Sequence, residues 1–208
     1  MSAQSTILLA ILLPLAGAVG IALAGRVSAN ARETVTLVTA GGLALTVWSL
    51  LPSVMAGGRP AVTVTELLPG VELAFRVEPL GMLFAALASG LWIVNSLYSI
   101  GYMRGNNEKH QTRFYVMFAV SLAATMGVAF AGNLITLFLF YEMLTLSTYP
   151  LVSHKGDANT VRSARVYLGI LLTTSIGLFL PAIIWTYTVA GGGDFVAGGI
   201  LAGHVEGP

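Results

Sequence analysis

One carboxylic acid in this chain sits where a carboxylic acid is costly. Glu142 lies near the centre of an apolar run, Asn133 to Val152, that is long enough to cross a membrane. A charged side chain at the bilayer centre costs about 2.5–3.5 kcal/mol on insertion scales, and intramembrane ionisable residues point to function by default. Burial disfavours the charged form of a carboxyl, so a carboxyl at this depth can hold and release a proton, as a proton pathway needs. Thr145 and Tyr149 follow at i+3 and i+7 and share its helix face. Their hydroxyls both donate and accept, which suits a hydrogen-bonded chain. The alternative role is packing, in which a protonated Glu142 bonds a neighbouring helix at about 0.6 kcal/mol per bond.

Other polar residues are weaker candidates. Arg162 and Arg165 stand one turn apart at the start of the next apolar run. They either anchor the helix by snorkelling, or one of them reaches inward and biases the Glu142 proton. His154 and Lys155, just after the Glu142 run, have the same two readings: a surface pair, or a proton entrance where His titrates near neutral pH. Asn95 and Ser96 read as interhelical glue. There is no cysteine, which excludes disulfides, thiolate-held clusters and a cysteine nucleophile. The three histidines are far apart, so no zinc motif forms and no metal site is expected. The string Gly191-Gly192-Gly193-Asp194 matches that of intramembrane aspartyl proteases. That chemistry needs two carboxylates in one site, and the other aspartate, Asp157, falls in a loop on the opposite side. No motif for nucleotide, haem, flavin or quinone is present, so no cofactor is expected.

The elements that position these groups are membrane spans. Of the 208 residues 56% are hydrophobic and only 9% charged, against about 25% charged in soluble domains. With a net charge of +1 there is no basic field for nucleic acid. A span needs about 20 mostly apolar residues. Six runs qualify, at about 5–24, 34–53, 80–102, 114–131, 133–152 and 166–189, giving an all-α integral membrane protein with a transmembrane domain over 1–190 and a Gly-rich tail over 191–208. The fourth and fifth spans form a hairpin through a tight turn at Gly132-Asn133. The long 54–79 connection holds a β-branched stretch, Ala61 to Thr65, that suits a short hairpin strand outside the bilayer. Pro181 is expected to kink the sixth span. The first run has no basic residue before it, so an uncleaved first span is expected.

Loop charge sets the orientation. Eight of the ten basic residues fall in three alternate loops: Arg26 and Arg32; Arg104, Lys109 and Arg113; Lys155, Arg162 and Arg165. These loops are expected in the cytoplasm, with the N-terminus, the 54–79 connection and the tail on the other side of a cell membrane.

The fifth span also carries a family resemblance. Gly132-Asn133-Leu134-Ile135-Thr136-Leu137-Phe138-Leu139-Phe140-Tyr141-Glu142-Met143-Leu144-Thr145-Leu146-Ser147-Thr148-Tyr149-Pro150-Leu151-Val152 resembles the fifth helix of the antiporter-like membrane subunits. These subunits are shared by NADH:quinone oxidoreductase, Mrp-type cation/proton antiporters and membrane-bound hydrogenases. Val77-Glu78-Pro79-Leu80-Gly81-Met82-Leu83-Phe84 and Tyr98-Ser99-Ile100-Gly101-Tyr102-Met103 resemble the family's third helix. The Tyr141-to-Pro150 wording is most similar to the D-type Mrp subunit.

The resemblance implies a proton-translocating subunit of a multisubunit complex, with other hydrophobic subunits as partners and protons, with or without Na+, as cargo. No redox site of its own is implied. Glu142 would be the family's fifth-helix glutamate, and Arg165 is the candidate for its basic partner. Members of the family are built as inverted repeats with about fourteen helices, including a broken seventh helix with a key lysine. This sequence matches only the N-terminal six helices, so it is expected to be a split or truncated part of such a subunit. The competing expectation is a non-conducting assembly subunit. The topology makes a direct prediction: a tag at residue 158 reports cytoplasm and a tag at residue 65 reports the outside, and the opposite accessibility overturns the orientation.

Overall fold

Inside a bilayer the backbone must satisfy its own hydrogen bonds, so apolar runs fold as helices. The structure is a computed structural model and describes residues 2–205. The last residues of the expected tail, 206–208, lie outside the described residues. In chain order the protein contains α1 (Ala3–Ala24), α2 (Ala29–Trp48), a short α3 (Leu51–Met55), β1 (Ala61–Leu68), β2 (Val71–Arg76), α4 (Pro79–Gly105), α5 (Gln111–Ala129), α6 (Leu134–Val152), α7 (Ala158–Thr174), a π-helical turn (Ser175–Phe179) and α8 (Leu180–Ala190). α2 with α3 makes one span, and α7, the π-turn and α8 make another. The described residues therefore hold six helices long and apolar enough to cross a membrane.

Two spans start earlier than hydropathy suggests, and caps explain both. Ser28 accepts from the Ala31 N–H and begins α2 at Ala29 rather than near 34. Asp157 accepts from the Thr160 N–H at 2.9 Å and begins α7 at Ala158 rather than near 166. Ser and Asp are strong N-cap residues because their side chains satisfy an N–H that the helix leaves free. The irregularity expected at Pro181 takes the form of the π-turn just before it.

The long connection is a two-stranded antiparallel hairpin. β1 runs further than the expected Ala61–Thr65 stretch, and β2 is an additional strand that local residue types do not mark. The tail is also more ordered at its start than a Gly-rich sequence implies. The Leu134 N–H donates to Gly193 O at 2.9 Å, and the Phe195 N–H donates to Gly132 O at 3.2 Å. Asn133 and Asp194 form a bridge there.

α1 packs against α2 and α5, α2 against α4, α5 against α6, and α6 against α7. Fully buried Ile7, Ile21, Leu43, Met82, Tyr115 and Met126 lie in the shared core of the first four spans. Outward faces stay apolar: Leu83, Leu87, Leu91 and Val94 form an exposed stripe at helical spacing on α4, a surface made for lipid. Small residues set the helix spacing, as is usual where lipid is as apolar as the side chains. A Cβ on Gly17 would lie 2.3 Å from Thr39, and one on Gly127 would lie 2.0 Å from the Phe140 ring. At Gly81 the obstacle is backbone: a Cβ would lie 2.0 Å from Ala129 O. Overpacking of this kind costs about 1–3 kcal/mol. Gly81→Ala is therefore expected to lower the Tm in detergent, whereas Gly101→Ala, with nothing within 4 Å, is not. Equal Tm values for the two variants would show that α4 does not need this close approach.

Candidate functional site

The position of Glu142 along α6 is fixed by how the helix begins. Asn133 is almost fully buried and bonds in two directions. Its Oδ1 accepts from the Thr136 N–H at 2.8 Å and caps α6, while its Nδ2 donates to Glu72 O at 2.8 Å and ties the cap to β2. Thr136 Oγ1 accepts from the Ala74 N–H at 3.1 Å. The Gly132 N–H donates to Ala74 O at 2.9 Å and the Arg76 N–H to Phe130 O at 2.7 Å. The start of α6 is thus held by hydrogen bonds to β2 and to Gly193. Glu142 follows the cap by nine residues, about 13 Å along the axis at 1.5 Å per residue. That is close to half of a hydrocarbon core of about 30 Å.

The direction of Glu142 follows from its neighbours. Ser121 and Ser147 share a 2.8 Å hydroxyl hydrogen bond, and Phe140 lies over Gly127; these contacts mark the α6 face against α5. Ser147 and Phe140 are about 140° and 160° round the helix from Glu142 at 100° per residue. Glu142 therefore points away from α5. Phe138 and Tyr141 pack edge-on against Phe179 of the π-turn, so the π-turn flanks the Glu142 stripe on one side. Thr145, buried, and Tyr149, half-buried, lie along that stripe. Glu142 itself is half-buried, but its Oε1 is enclosed and has no hydrogen-bond partner among the described residues. An enclosed polar atom left unpaired costs about 1–3 kcal/mol, more if charged.

The remaining candidates lie elsewhere. Arg165 and Arg162 are exposed on α7, and neither pairs with Glu142 among the described residues. Lys155 is exposed in the turn after α6. His154, in the same turn, accepts from Arg113 at its carbonyl at 3.1 Å and sets its ring edge-on to Phe114. Both ring nitrogens are enclosed without a partner among the described residues. Asp157 and Asp194 are at opposite ends of the bundle, so the two aspartates share no site.

One polar cluster is not evident from hydropathy. Arg32 and Glu33, expected in a loop, are buried in the first turns of α2. Glu33 pairs with Arg32 at 3.0 Å and with Arg104 of α4, while Arg32 also donates to Gln111 Oε1 at 2.8 Å and stacks over Tyr115. Asn30 accepts from Arg104. The signal for it is Ser28, whose cap begins the helix early enough to carry Arg32 and Glu33 into it. The cluster joins α2, α4 and α5 at the end opposite the hairpin.

Comparison with known proteins agrees with this architecture. A family profile described as NADH:quinone oxidoreductase/Mrp antiporter, TM, matches residues 131–200, which include α6, α7 and α8. The A1 subunit of a Na(+)/H(+) antiporter of Staphylococcus aureus is 33% identical over 98 residues, 47% of this chain and 12% of that protein. The A/B subunit of a probable K(+)/H(+) antiporter of Rhizobium meliloti is 30% identical over 152 residues, 71% of this chain and 14% of that protein. In fold, the chain superposes on a chain of the Mrp complex from Dietzia sp. with a TM-score of 0.76 at 24% identity, covering 91% of this chain and 20% of that one. An archaeal membrane-bound sulfane sulfur reductase, a respiratory membrane complex, gives a TM-score of 0.77 at 15% identity, covering 90% of this chain and 38% of that one. Residues 131–200 thus carry the membrane region of the family shared by NADH:quinone oxidoreductase and Mrp antiporters, and the chain is similar to antiporter subunits of that family over up to 71% of its length. It is a multi-pass membrane protein that spans 12–14% of the length of these curated relatives. Both relatives are A1- or A/B-type rather than D-type subunits.

The enclosed His154 ring makes acid sensitivity testable. Burial first, then the Arg113 guanidinium and His110, push His154 below its ordinary value of 6.5, while Glu108 pulls it back. A histidine lowered in the fold takes up its proton more readily when unfolded. Its stabilising contribution is complete above about pH 6.5 and is lost as pH falls towards the lower folded value. Acidification from about pH 8 to about pH 5 is expected to lower the Tm. His154→Phe, which keeps the contact with Phe114, is expected to lose less. An equal loss in both proteins would remove His154 as the cause.

Proposed function

We propose that this chain is part of a multisubunit cation/proton antiporter or a related respiratory membrane complex, and that Glu142 carries protons through it. The observation that carries this reading is a carboxyl midway along an apolar helix, with one oxygen enclosed and unpaired among the described residues. A group placed there only for packing would be expected to have its hydrogen bond made. An open hydrogen-bonding position on a protonatable group is where a mobile proton donor or water can dock. Thr145 and Tyr149 continue the stripe toward the end of α6 that bears His154 and Lys155, which the loop charges assign to the cytoplasm. Arg165 is then an approach-side cation rather than a direct ion-pair partner. The named relatives are subunits of a Na+/H+ antiporter and of a probable K+/H+ antiporter, so Na+ or K+ is the proposed counter-ion. Other hydrophobic subunits are the proposed partners, and the hairpin side is proposed to face away from the cytoplasm.

A second reading has one observation in its favour. The span from α7 to α8 is the least buried of the six, with 11% of its apolar window buried against 44% for α5. That leaves a broad apolar surface beside Glu142, suited to assembly against other helices. The two readings separate in one variant. Glu142→Gln in the assembled complex is expected to abolish proton flux into vesicles while assembly, followed by co-purification, stays intact. Unchanged flux would remove Glu142 from the proton path, and loss of assembly would favour the packing role.

A further inference from the structure

An apolar groove of about 550 Å³ opens between α6, α8 and the tip of the β-hairpin. Ile135 and Leu139 form one wall and Ile183 and Ile184 the other, with Leu68 and Pro69 at the lip. Gly70, Tyr187 and Gly191 line this groove and also line a second, smaller cavity of about 220 Å³. The second cavity is polar. Its lining includes the acidic residues Glu72 and Asp194 together with Gly192 and Gly193, and no Lys or Arg. Thr63 Oγ1 donates to Glu72 Oε2 at 3.1 Å and orients that carboxylate.

The two cavities therefore adjoin across Gly70, Tyr187 and Gly191, apolar beside the spans and polar at the hairpin. This is the order of an amphiphile standing in a bilayer leaflet. The volume falls in the range of about 300–1,000 Å³ found for small-molecule sites. A helix about 10 Å wide and 30 Å long would need several times more. Charge selects the head. Two carboxylates with no cation in the lining disfavour a headgroup that carries only negative charge and favour one whose outer end is an ammonium. A primary ammonium offers three N–H donors to carboxylates and carbonyls, whereas a trimethylated ammonium offers none.

We propose that this double cavity binds a phospholipid, with an acyl chain between α6 and α8 and a primary-ammonium headgroup between Glu72 and Asp194. The site is separate from the proposed proton path and does not depend on it. Gly191 sits in the left-handed region at φ 70°, a conformation that favours glycine. It ends α8 and turns the chain so that Gly192, Gly193 and Asp194 form the polar floor. Tyr187 lines both cavities, which suits an aromatic residue at a membrane interface.

The test is native mass spectrometry of the purified full chain in mild detergent, with equal amounts of dioleoyl phosphatidylethanolamine, phosphatidylcholine and phosphatidylglycerol. One phosphatidylethanolamine is expected to be retained about tenfold over phosphatidylglycerol, with phosphatidylcholine well below the primary amine. The double variant Glu72→Gln/Asp194→Asn is expected to lose this selectivity with no change in Tm, because both side chains are exposed. Ile184→Trp, which fills the groove from an exposed position, is expected to lower retention of every lipid. Equal retention of the three lipids, or selectivity that survives the double variant, would overturn the headgroup assignment. A dimer or a bound protein segment that excludes lipid would overturn the lipid assignment altogether.

Discussion

The most consequential contact in this protein is made outside the spans, where non-helical strands complete each other's hydrogen bonds. β2, the Phe130–Asn133 turn and Gly193–Phe195 come from three distant stretches of sequence, and each supplies backbone partners to another. Asn133 sits where they meet, as helix cap and strand partner at once. Buried backbone groups must be paired, so any axial slip of α6 would break several of these bonds together. The cap thereby fixes the position of a carboxyl about 13 Å further along α6.

Two buried ionisable sites in the same bundle show opposite physics. Around Glu33 the charges are paired: two guanidiniums, a carboxylate, an amide and an aromatic face meet. Removing one partner from such a cluster costs about 3–5 kcal/mol because the others remain buried and charged. The cluster fastens α2, α4 and α5 together. Around Glu142 nothing among the described residues closes the hydrogen-bonding shell of the enclosed oxygen. One site uses its polarity to hold helices, and the other keeps a position open.

Much of the fold was legible because lipid makes simple demands. Six apolar runs became six spans, the Gly132-Asn133 turn was visible in its residues, and the β-branched stretch at 61–65 marked a strand. Hydropathy alone misplaced two helix starts, because polar first turns after Ser28 and Asp157 read as loop. That misplacement hid Arg32 and Glu33. The second strand and the docking of Gly193–Phe195 depend on long-range backbone pairing, which leaves little trace in local residue types. For the candidate site, the shared helix face of Glu142, Thr145 and Tyr149 was legible from helical spacing. The pairing with Arg165 did not follow, since the exposed face of α7 is set by packing, which spacing within one helix does not encode.

The π-turn has a consequence for how this span can change over evolutionary time. A π-turn holds one residue more than an α-turn, so everything after Ser175–Phe179 is out of phase with α7 by one residue, about 100° of rotation. The isoleucines of α8 face α6 only because of that offset. A single-residue deletion in the turn would leave a span of nearly the same length and the same hydropathy. It would nevertheless swing Ile183 and Tyr187 off their neighbours. Insertions and deletions here therefore act as a switch of helix phase, invisible to any measure that counts only apolar residues.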